Sequence, residues 1–303
     1  MTSLGCIFLP MSPPDRLIPF ARTAEAAGLD EVWLWEDCFY ESGIAAAGVI
    51  LGATERVSVG IGVLPAPLRN VALAAMELAT LEGAFPGRLV PGVGHGVQDW
   101  MGQTGARVGS PLTLLREYAD ALRALLAGER VTVSGRYVSL DDVALVWPPA
   151  SPPPVLSAGQ GPRTLRLVGK VADGVVLVSD TGLAGVGRAL ALIDEGRAAA
   201  GLAPVSEAEA QRPFRTVAFV SAATGPDAVD RLRRNAQAWN VDIPDDEALA
   251  EYCAWGSADQ VADGLRRFVE AGVTSLVVQP TVDDPDPEGF AAFLGEEVRP
   301  LLP

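Results

Sequence analysis

The segment over residues 157–177, SAGQGPRTLRLVGKVADGVVL, carries the residue pattern best suited to hold an anion. Gly159 and Gly161 allow backbone N–H groups to approach a ligand closely, and Pro162 suits the first turn of a helix. Arg163 adds a bidentate cation beside the positive end of the helix dipole. The pattern predicts a phosphate site, although an ordinary glycine turn that leads into a helix can have the same residue pattern.

His95 is the only histidine of the chain and lies in the glycine-rich segment GRLVPGVGHGVQDW, residues 87–100. An imidazole at the catalytic face of a sheet can donate to a ring carbonyl or move a proton near neutral pH. A lone histidine is as often a structural residue, and the sequence leaves both interpretations open. Trp100, which ends this segment, and Met101 after it are candidates for an apolar pocket lining.

Two adjacent carboxylates, Glu36 and Asp37, follow a predicted strand in the segment LWEDCF. On a catalytic face Asp37 can orient a donor or act as an acid or base, whereas in a solvated loop it would cap the next helix. Side chains alternate along an extended strand, so Glu36 is expected to point away from Asp37. Cys38 is expected to be a small packing residue, because no neighbouring cation lowers the pKa of its thiol.

Glycines interrupt a β-branched strand in SVGIGVLPAPLR, residues 58–69. Glycine within a strand is typical of a bulge, of a close backbone approach to a ligand, or of tight packing. On its own this segment favours tight packing.

Short β-branched stretches alternate with helical patterns along the whole chain, which predicts repeated βα units. A doubly wound open sheet would show the same alternation, but the strands are evenly distributed and no GxGxxG opens the first unit. We therefore predict a single (β/α)8 barrel domain over residues 1–303, whose strand C-termini form the catalytic face. The strands are predicted over residues 4–9, 31–35, 57–63, 89–93, 155–158, 174–178, 214–221 and 275–279.

An insertion is predicted between the fourth and fifth strands of the barrel. Residues 131–133 and 137–140, separated by SGR, have the pattern of a hairpin. The proline-rich residues 147–154 predict a stiff connection back to the barrel. Upstream, Ser110 and Pro111 predict the N-cap and first residue of a helix that ends near Gly128.

The composition excludes several function classes. With 23 basic and 38 acidic residues the net charge is −15, which disfavours nucleic acids and anionic membranes as partners. Screening limits this repulsion to about 8–10 Å, so a local phosphate site is still allowed. No apolar run reaches the roughly 18 residues of a membrane span, and no basic region precedes the first apolar stretch. The three cysteines are widely spread and lack a CxxC, so neither a disulfide framework nor a zinc site is expected. We therefore expect a cytoplasmic location.

Five segments in this order resemble the luciferase-like family of flavin-dependent oxidoreductases, and especially its branch that uses the deazaflavin F420. The resemblance implies a TIM barrel with the tricyclic ring at the strand C-termini and a phosphate at the loop after the fifth strand. Gly159, Gln160, Gly161, Pro162 and Arg163 fall on that loop. The segments are AEAAGLDEVWLWED, TERVSVGIGV, ATLEGAFPGRLVPGVGHG, GQGPRTLRLVGKVADGVV and GSADQVADGLRRFVEAGVTSLVV.

The resemblance also has consequences for single residues. In the F420 branch a bulge with a non-prolyl cis peptide supports the ring, and this corresponds to Gly62 and Val63. Strand two of those relatives often ends in Asp-His, and here Asp37 matches while a cysteine follows it. We expect His95 to supply the missing imidazole. The glutamate of the sugar-phosphate dehydrogenases corresponds to Val97, so glucose-6-phosphate is not the expected substrate.

The resemblance implies hydride transfer between F420 and a small organic substrate, with Asp37 and His95 as catalytic residues, in a homodimer. One alternative on the same fold is a monooxygenase that uses reduced FMN, and another is a non-catalytic flavin-binding protein. A lyase or isomerase for sugar phosphates is disfavoured, because such barrels usually need a strand-end lysine or a metal cluster. The chain has one histidine, and Lys170 lies on a predicted helix.

Overall fold

The computed structural model describes residues 2–208, 213–238 and 243–303. Parallel strands form a closed barrel in which each strand pairs with the next along the chain and the last pairs with the first. This confirms the predicted (β/α)8 architecture. The barrel strands are β1 Ser3–Phe8, β2 Glu31–Leu34, β3 Ser58–Pro65, β4 Leu89–Gly94, β5 Leu156–Ala158, β6 Gly174–Leu177, β7 Arg215–Ala223 and β8 Ser275–Gln279.

Helices cover the outside of the barrel and pack on it through buried alanine, leucine and valine side chains. No helix within the described ranges is long and apolar enough to cross a membrane. The helices are α1 Leu17–Ala26, α2 Gly43–Ala53, α3 Val71–Ala84, α4 Gln98–Gln103, α5 Pro111–Leu126, α6 Pro162–Val171, α7 Gly182–Ala199, α8 Ala228–Ala238, α9 Asp246–Ala250, α10 Ala258–Glu270 and α11 Pro287–Phe293.

The N-cap of α5 differs from its prediction in one respect. Pro111 is the first helical residue and Ser110 the N-cap, as the sequence indicates, but the serine side chain does not cap the helix. Its Oγ lies 2.8 Å from Thr113 Oγ1, because the two hydroxyls bond to each other. The helix ends at Leu126, and Gly128 follows with a positive φ of 82°.

The hairpin inserted between β4 and β5 pairs Val131–Ser134 with Ser139–Val143. Its second strand therefore begins two residues later than the predicted residues 137–140. The physical reason is Glu117 of α5, whose carboxylate accepts the backbone N–H groups of residues 136, 137 and 138 at 2.8–3.1 Å. A further short strand, Cys253–Trp255, runs beside the end of β7.

The barrel interior is filled from a polar bottom to an apolar middle. At the bottom Glu31 pairs with Arg215, accepts from Trp33 Nε1 at 2.6 Å, and accepts from Ser275 Oγ at 3.0 Å. Trp33 fills the middle and is fully buried. A Cβ on Gly60 would lie 2.2 Å from the indole carbons of Trp33, so this glycine of β3 is required by packing.

Strand β3 changes register between Ile61 and Leu64, and the peptide between Gly62 and Val63 is cis. Both features are those that the family resemblance implies for this position. A second cis peptide joins Cys38 to Phe39, and no sequence pattern had indicated it.

Candidate active site

A cleft of about 250 Å³ opens at the C-terminal mouth of the barrel. Its floor is made by residues of β3, β7 and β8 and by the residues directly after β2, and its walls by the loops that follow β4, β5 and β6. The predicted site residues Asp37, Gly62 and Gln160 lie in it together. The other lining residues are Trp35, Val97, Trp100, Val178, Ser179, Asp180, Phe219 and Gln279.

A larger groove, of about 650 Å³, lies between the loops after β7 and β8. Its central cation, Arg231, is buried and already bonded to Asp284 at 2.8 Å and to the Thr224 carbonyl at 2.6 Å. Because this cation is already paired within the groove and the C-terminal mouth carries the chemistry of such barrels, we take the smaller cleft in the barrel mouth as the candidate site.

Two aromatic rings with nearly parallel planes line the floor of the cleft. The rings of Trp35 and Phe219 lie 6.5 Å apart between centroids with an interplanar angle of 23°. Trp35 is 8% exposed and Phe219 is 3% exposed, so packing holds both rings in place. Such a surface suits a planar heteroaromatic ring, which gains apolar and stacking contacts on it.

Asp37 and Glu36 point to different surroundings, as predicted from strand alternation. Glu36 is buried, accepts from the Gly43 backbone N–H at 2.8 Å, and pairs with Arg69. Asp37 faces the cleft, where burial raises the pKa of its carboxyl group from 3.8 to about 6. Next to them, burial and these two acids raise the pKa of the Cys38 thiol, so this residue is not an activated thiolate.

Asp37→Asn is expected to raise the free energy of unfolding at pH 7 by about 2 kcal/mol. The carboxyl group has a higher pKa in the folded protein than in the unfolded chain, so its ionisation destabilises the folded state. That penalty grows as the pH rises from about 4 to about 6 and is constant above. Urea denaturation at pH 4 and pH 7 measures the difference. An equal effect of the substitution at both pH values would contradict the shifted pKa.

The predicted phosphate loop forms one edge of the cleft. Helix α6 begins at Pro162 after Gly161, as the sequence predicts, and Leu165 N donates to the Gly161 carbonyl at 3.0 Å. The Arg163 side chain is exposed and has no hydrogen bond or ion pair with the part of the chain that the structure describes. Gln160 connects the loop to the cleft, and its Nε2 donates to Asp180 at 2.8 and 2.9 Å.

His95 lies beneath this loop and is not part of the cleft lining. Its Nε2 is 3.2 Å from Thr164 Oγ1 in the first turn of α6. Burial lowers the pKa of the imidazole, partly opposed by a backbone contact at Pro111, so the ring is neutral at pH 7. Val63 also lies behind the lining, and its methyl groups fill the space that side chains at Gly92 and Gly94 would occupy.

Several residues of the cleft were not found from the sequence. None of them belongs to a distinctive local sequence pattern. They are Trp35, Phe219, Ser179 and Gln279. For three of them the sequence did carry a signal, which is position: Trp35 and Ser179 follow barrel strands and Gln279 ends one, and the C-terminal face carries the chemistry of such folds. Phe219 lies in the middle of β7 and had no such signal. Of the two apolar residues named from the sequence, Trp100 lines the cleft and Met101 is fully buried.

Comparison with known proteins places the chain among characterised relatives. The model of the family described as luciferase-like monooxygenase matches residues 4–275. A 5,10-methylenetetrahydromethanopterin reductase of Methanolobus tindarius is 30% identical over 58% of this chain, and the match spans only 53% of that protein. An F420-dependent glucose-6-phosphate dehydrogenase of Nakamurella multipartita is 26% identical over 95% of this chain and 93% of its own length.

Among solved structures, an F420-dependent secondary alcohol dehydrogenase in complex with an F420-acetone adduct superposes with a TM-score of 0.83. The match covers 100% of this chain and 99% of that chain at 23% sequence identity. At this identity the likeness shows a shared fold.

Proposed function

The chain belongs to the luciferase-like monooxygenase family, and on that premise we propose that it is an oxidoreductase that uses F420. In this proposal hydride passes between F420 and a small organic substrate in the cleft at the barrel mouth. Several relatives that match over most of the chain are named F420-dependent glucose-6-phosphate dehydrogenases.

One observation carries the proposal: the aromatic floor of the cleft continues at Gln160 into a loop whose Arg163 has no partner among the described residues. The floor fits a planar ring, and the loop adds a helix N-terminus with a cation where a phosphate would follow. Gly159, Gln160, Gly161, Pro162 and Arg163 would hold that phosphate, and the backbone of Gly62 and Val63 would support the ring. We further propose that residues 1–303 are one domain, since Thr2 N reaches the Pro303 carbonyl at 3.4 Å.

When bound, F420 supplies a carbon centre that accepts or releases hydride. Asp37 would hold or release the accompanying proton at its carboxyl group, because a pKa of about 6 makes both protonation states accessible near neutral pH. The apolar floor excludes water from this part of the cleft and orients the reacting groups.

The family's description as monooxygenases supports a second candidate, which uses reduced FMN to activate oxygen on the same fold. Parallel titrations of the purified apo protein with F420 and FMN, read by fluorescence quenching, separate the two. We expect F420 to bind at least tenfold more tightly than FMN. Tight FMN binding with oxygen consumption on reduction would support the monooxygenase, and tight binding of a cofactor that no donor reduces would support a non-catalytic flavin-binding protein.

His95→Ala is expected to weaken F420 binding about fivefold and to lower turnover. The substitution removes the hydrogen bond to Thr164 that fixes the first turn of α6 under the phosphate loop, and such a bond contributes about 1 kcal/mol. F420 affinity and steady-state turnover are measured on the same preparation. If both stayed at the wild-type values, His95 would have no role in the site.

The apolar outer faces of α2 and α3 support our proposal of a homodimer. Val49, Leu73 and Met76 are 43%, 47% and 58% exposed on these neighbouring helices. Exposed apolar side chains on neighbouring helices can pack in a protein interface. A solution mass equal to one chain would contradict the dimer. We also propose a cytoplasmic location, because Cys6, Cys38 and Cys253 are all free thiols.

A further inference from the structure

Gln279, at the end of β8, has a buried amide group that is only partly satisfied by the protein. The residue is 0% exposed and lies on the floor of the cleft. Its Oε1 accepts from Ser179 Oγ at 2.8 Å, which fixes the plane of the amide. Its Nε2 has no hydrogen-bond partner in the described parts of the chain. Buried donors without a partner are rare in native proteins, so a bound molecule is the natural source of an acceptor.

The position of β8 in the barrel indicates which molecule this is. In the closed ring of strands, β8 is separated from β3 by β1 and β2, and from β5 by β6 and β7. Gln279 therefore lies across the mouth from the β3 bulge and the loop after β5, to which the proposed function assigns the ring and the phosphate. Asp37, which follows β2, comes next to the β3 bulge in the ring of strands and two strands from β8, and it lines the same cleft as Gln279.

The charge of the cleft limits the chemistry of the acceptor. Asp37 and Asp180 are the charged residues of its lining, and within the described ranges no lysine or arginine lines it. A phosphate or carboxylate beside Gln279 would meet these acids without a compensating cation, at close range and in a partly desolvated setting. A neutral oxygen can instead accept from the amide and, as a hydroxyl, donate to Asp37.

We propose that Gln279, oriented by Ser179, binds the uncharged carbonyl or hydroxyl oxygen of the substrate, and that this cleft selects neutral carbonyl and alcohol compounds over phosphorylated ones. The inference rests on the proposed function for the position of the cofactor. It assigns a substrate-binding residue and a substrate class to the same site.

The test measures ligand affinity by titration calorimetry on protein saturated with F420. The probes are 2-butanone, cyclohexanone and acetophenone, each paired with the phosphate ester of the corresponding alcohol. We expect the wild type to bind at least one ketone, and at least tenfold more tightly than its phosphate partner. A wild type that binds no ketone, or that prefers the phosphate esters, overturns the proposal.

Two variants then test the residue itself. Gln279→Met preserves the length of the side chain without its polar atoms, and Gln279→Glu keeps an acceptor for Ser179 but loses the N–H donor. Both are expected to weaken ketone binding at least tenfold and to change F420 affinity less than twofold. The control is Gln237→Met, at an exposed glutamine of α8, which should bind ketones as the wild type does. Unchanged ketone affinity in both Gln279 variants overturns the proposal, as does an equal loss of F420 affinity.

Thermal unfolding of the free protein distinguishes this role from a structural one. Gln279→Met removes a buried donor that has no partner in the described residues and also the acceptor of Ser179 Oγ, so the two effects largely offset and its Tm should stay close to that of the wild type. A lower Tm with unchanged ketone affinity would assign Gln279 to structure and overturn the proposal. If F420 fails to bind the wild type, the proposed function fails, while the same titrations on free protein still test the ketone site at Gln279.

Discussion

Replacing Arg163 by alanine is expected to weaken F420 binding by roughly 10- to 100-fold. The guanidinium projects from the first turn of α6, beside the backbone N–H groups that the helix leaves unpaired. No described residue neutralises it, so its charge is available to a phosphate. A charge-assisted hydrogen bond of this kind contributes about 1.5 to 3 kcal/mol. Fluorescence titration of the variant and the wild type with F420 measures the change.

The matched control is Arg166→Ala, one turn later on the same helix. Arg166 already pairs with Glu195 at 2.6 Å, and its loss removes the same charge from the chain. F420 affinity in this variant should stay within twofold of the wild type, since exposed ion pairs contribute little. The interaction of Arg163 should also weaken with added salt, because the site is exposed. Equal affinities of the two variants would exclude the loop after β5 as the phosphate site.

Gly60→Ala is expected to lower the free energy of unfolding by about 3 kcal/mol. The new methyl group would lie 2.2–2.5 Å from three carbons of the Trp33 indole. Trp33 cannot move aside, because it is fully buried and its Nε1 is bonded to Glu31 at the bottom of the barrel. Neither the strand nor the ring can relax without breaking other contacts, so the overlap becomes strain. Urea denaturation of the two proteins measures the loss.

The control for this substitution is Gly83→Ala in α3. A Cβ at Gly83 meets no atom within 4 Å, and the residue is exposed inside a helix. Alanine should therefore stabilise the protein by about 0.5–1 kcal/mol, through the lower conformational entropy of the unfolded chain. A loss of less than 1 kcal/mol for Gly60→Ala would show that the barrel interior accommodates a methyl group, contrary to this packing argument.

Local patterns predicted most of the fold. Apolar periodicity and turn residues act over a few neighbours, so the order of strands and helices is encoded in short segments, and the strand Ser275–Gln279 agrees with its prediction at both ends. The loop for which we propose phosphate binding could be named for the same reason, because its glycines, proline and arginine are adjacent in the chain. The start of α6 at Pro162 follows from these residues alone.

The composition of the cleft was decided by barrel closure. Ser179 and Gln279 are 100 residues apart in the sequence, and only the pairing of distant strands brings the hydroxyl to the amide. His95 and Thr164 are 69 residues apart, and their contact shows that the histidine lies under the loop instead of in the cleft lining. No local pattern encodes such pairs.

The sequence by itself determined the order of the elements and the residue pattern of the proposed anion-binding loop, because these depend on neighbours along the chain. It also determined the net charge, which follows from composition. The tertiary structure decided which side chains face the barrel mouth, which glycines serve packing, and which polar groups remain without partners. These depend on strand pairing and on the sterics of a filled interior, where a single ring such as Trp33 determines what its neighbours across the barrel can be.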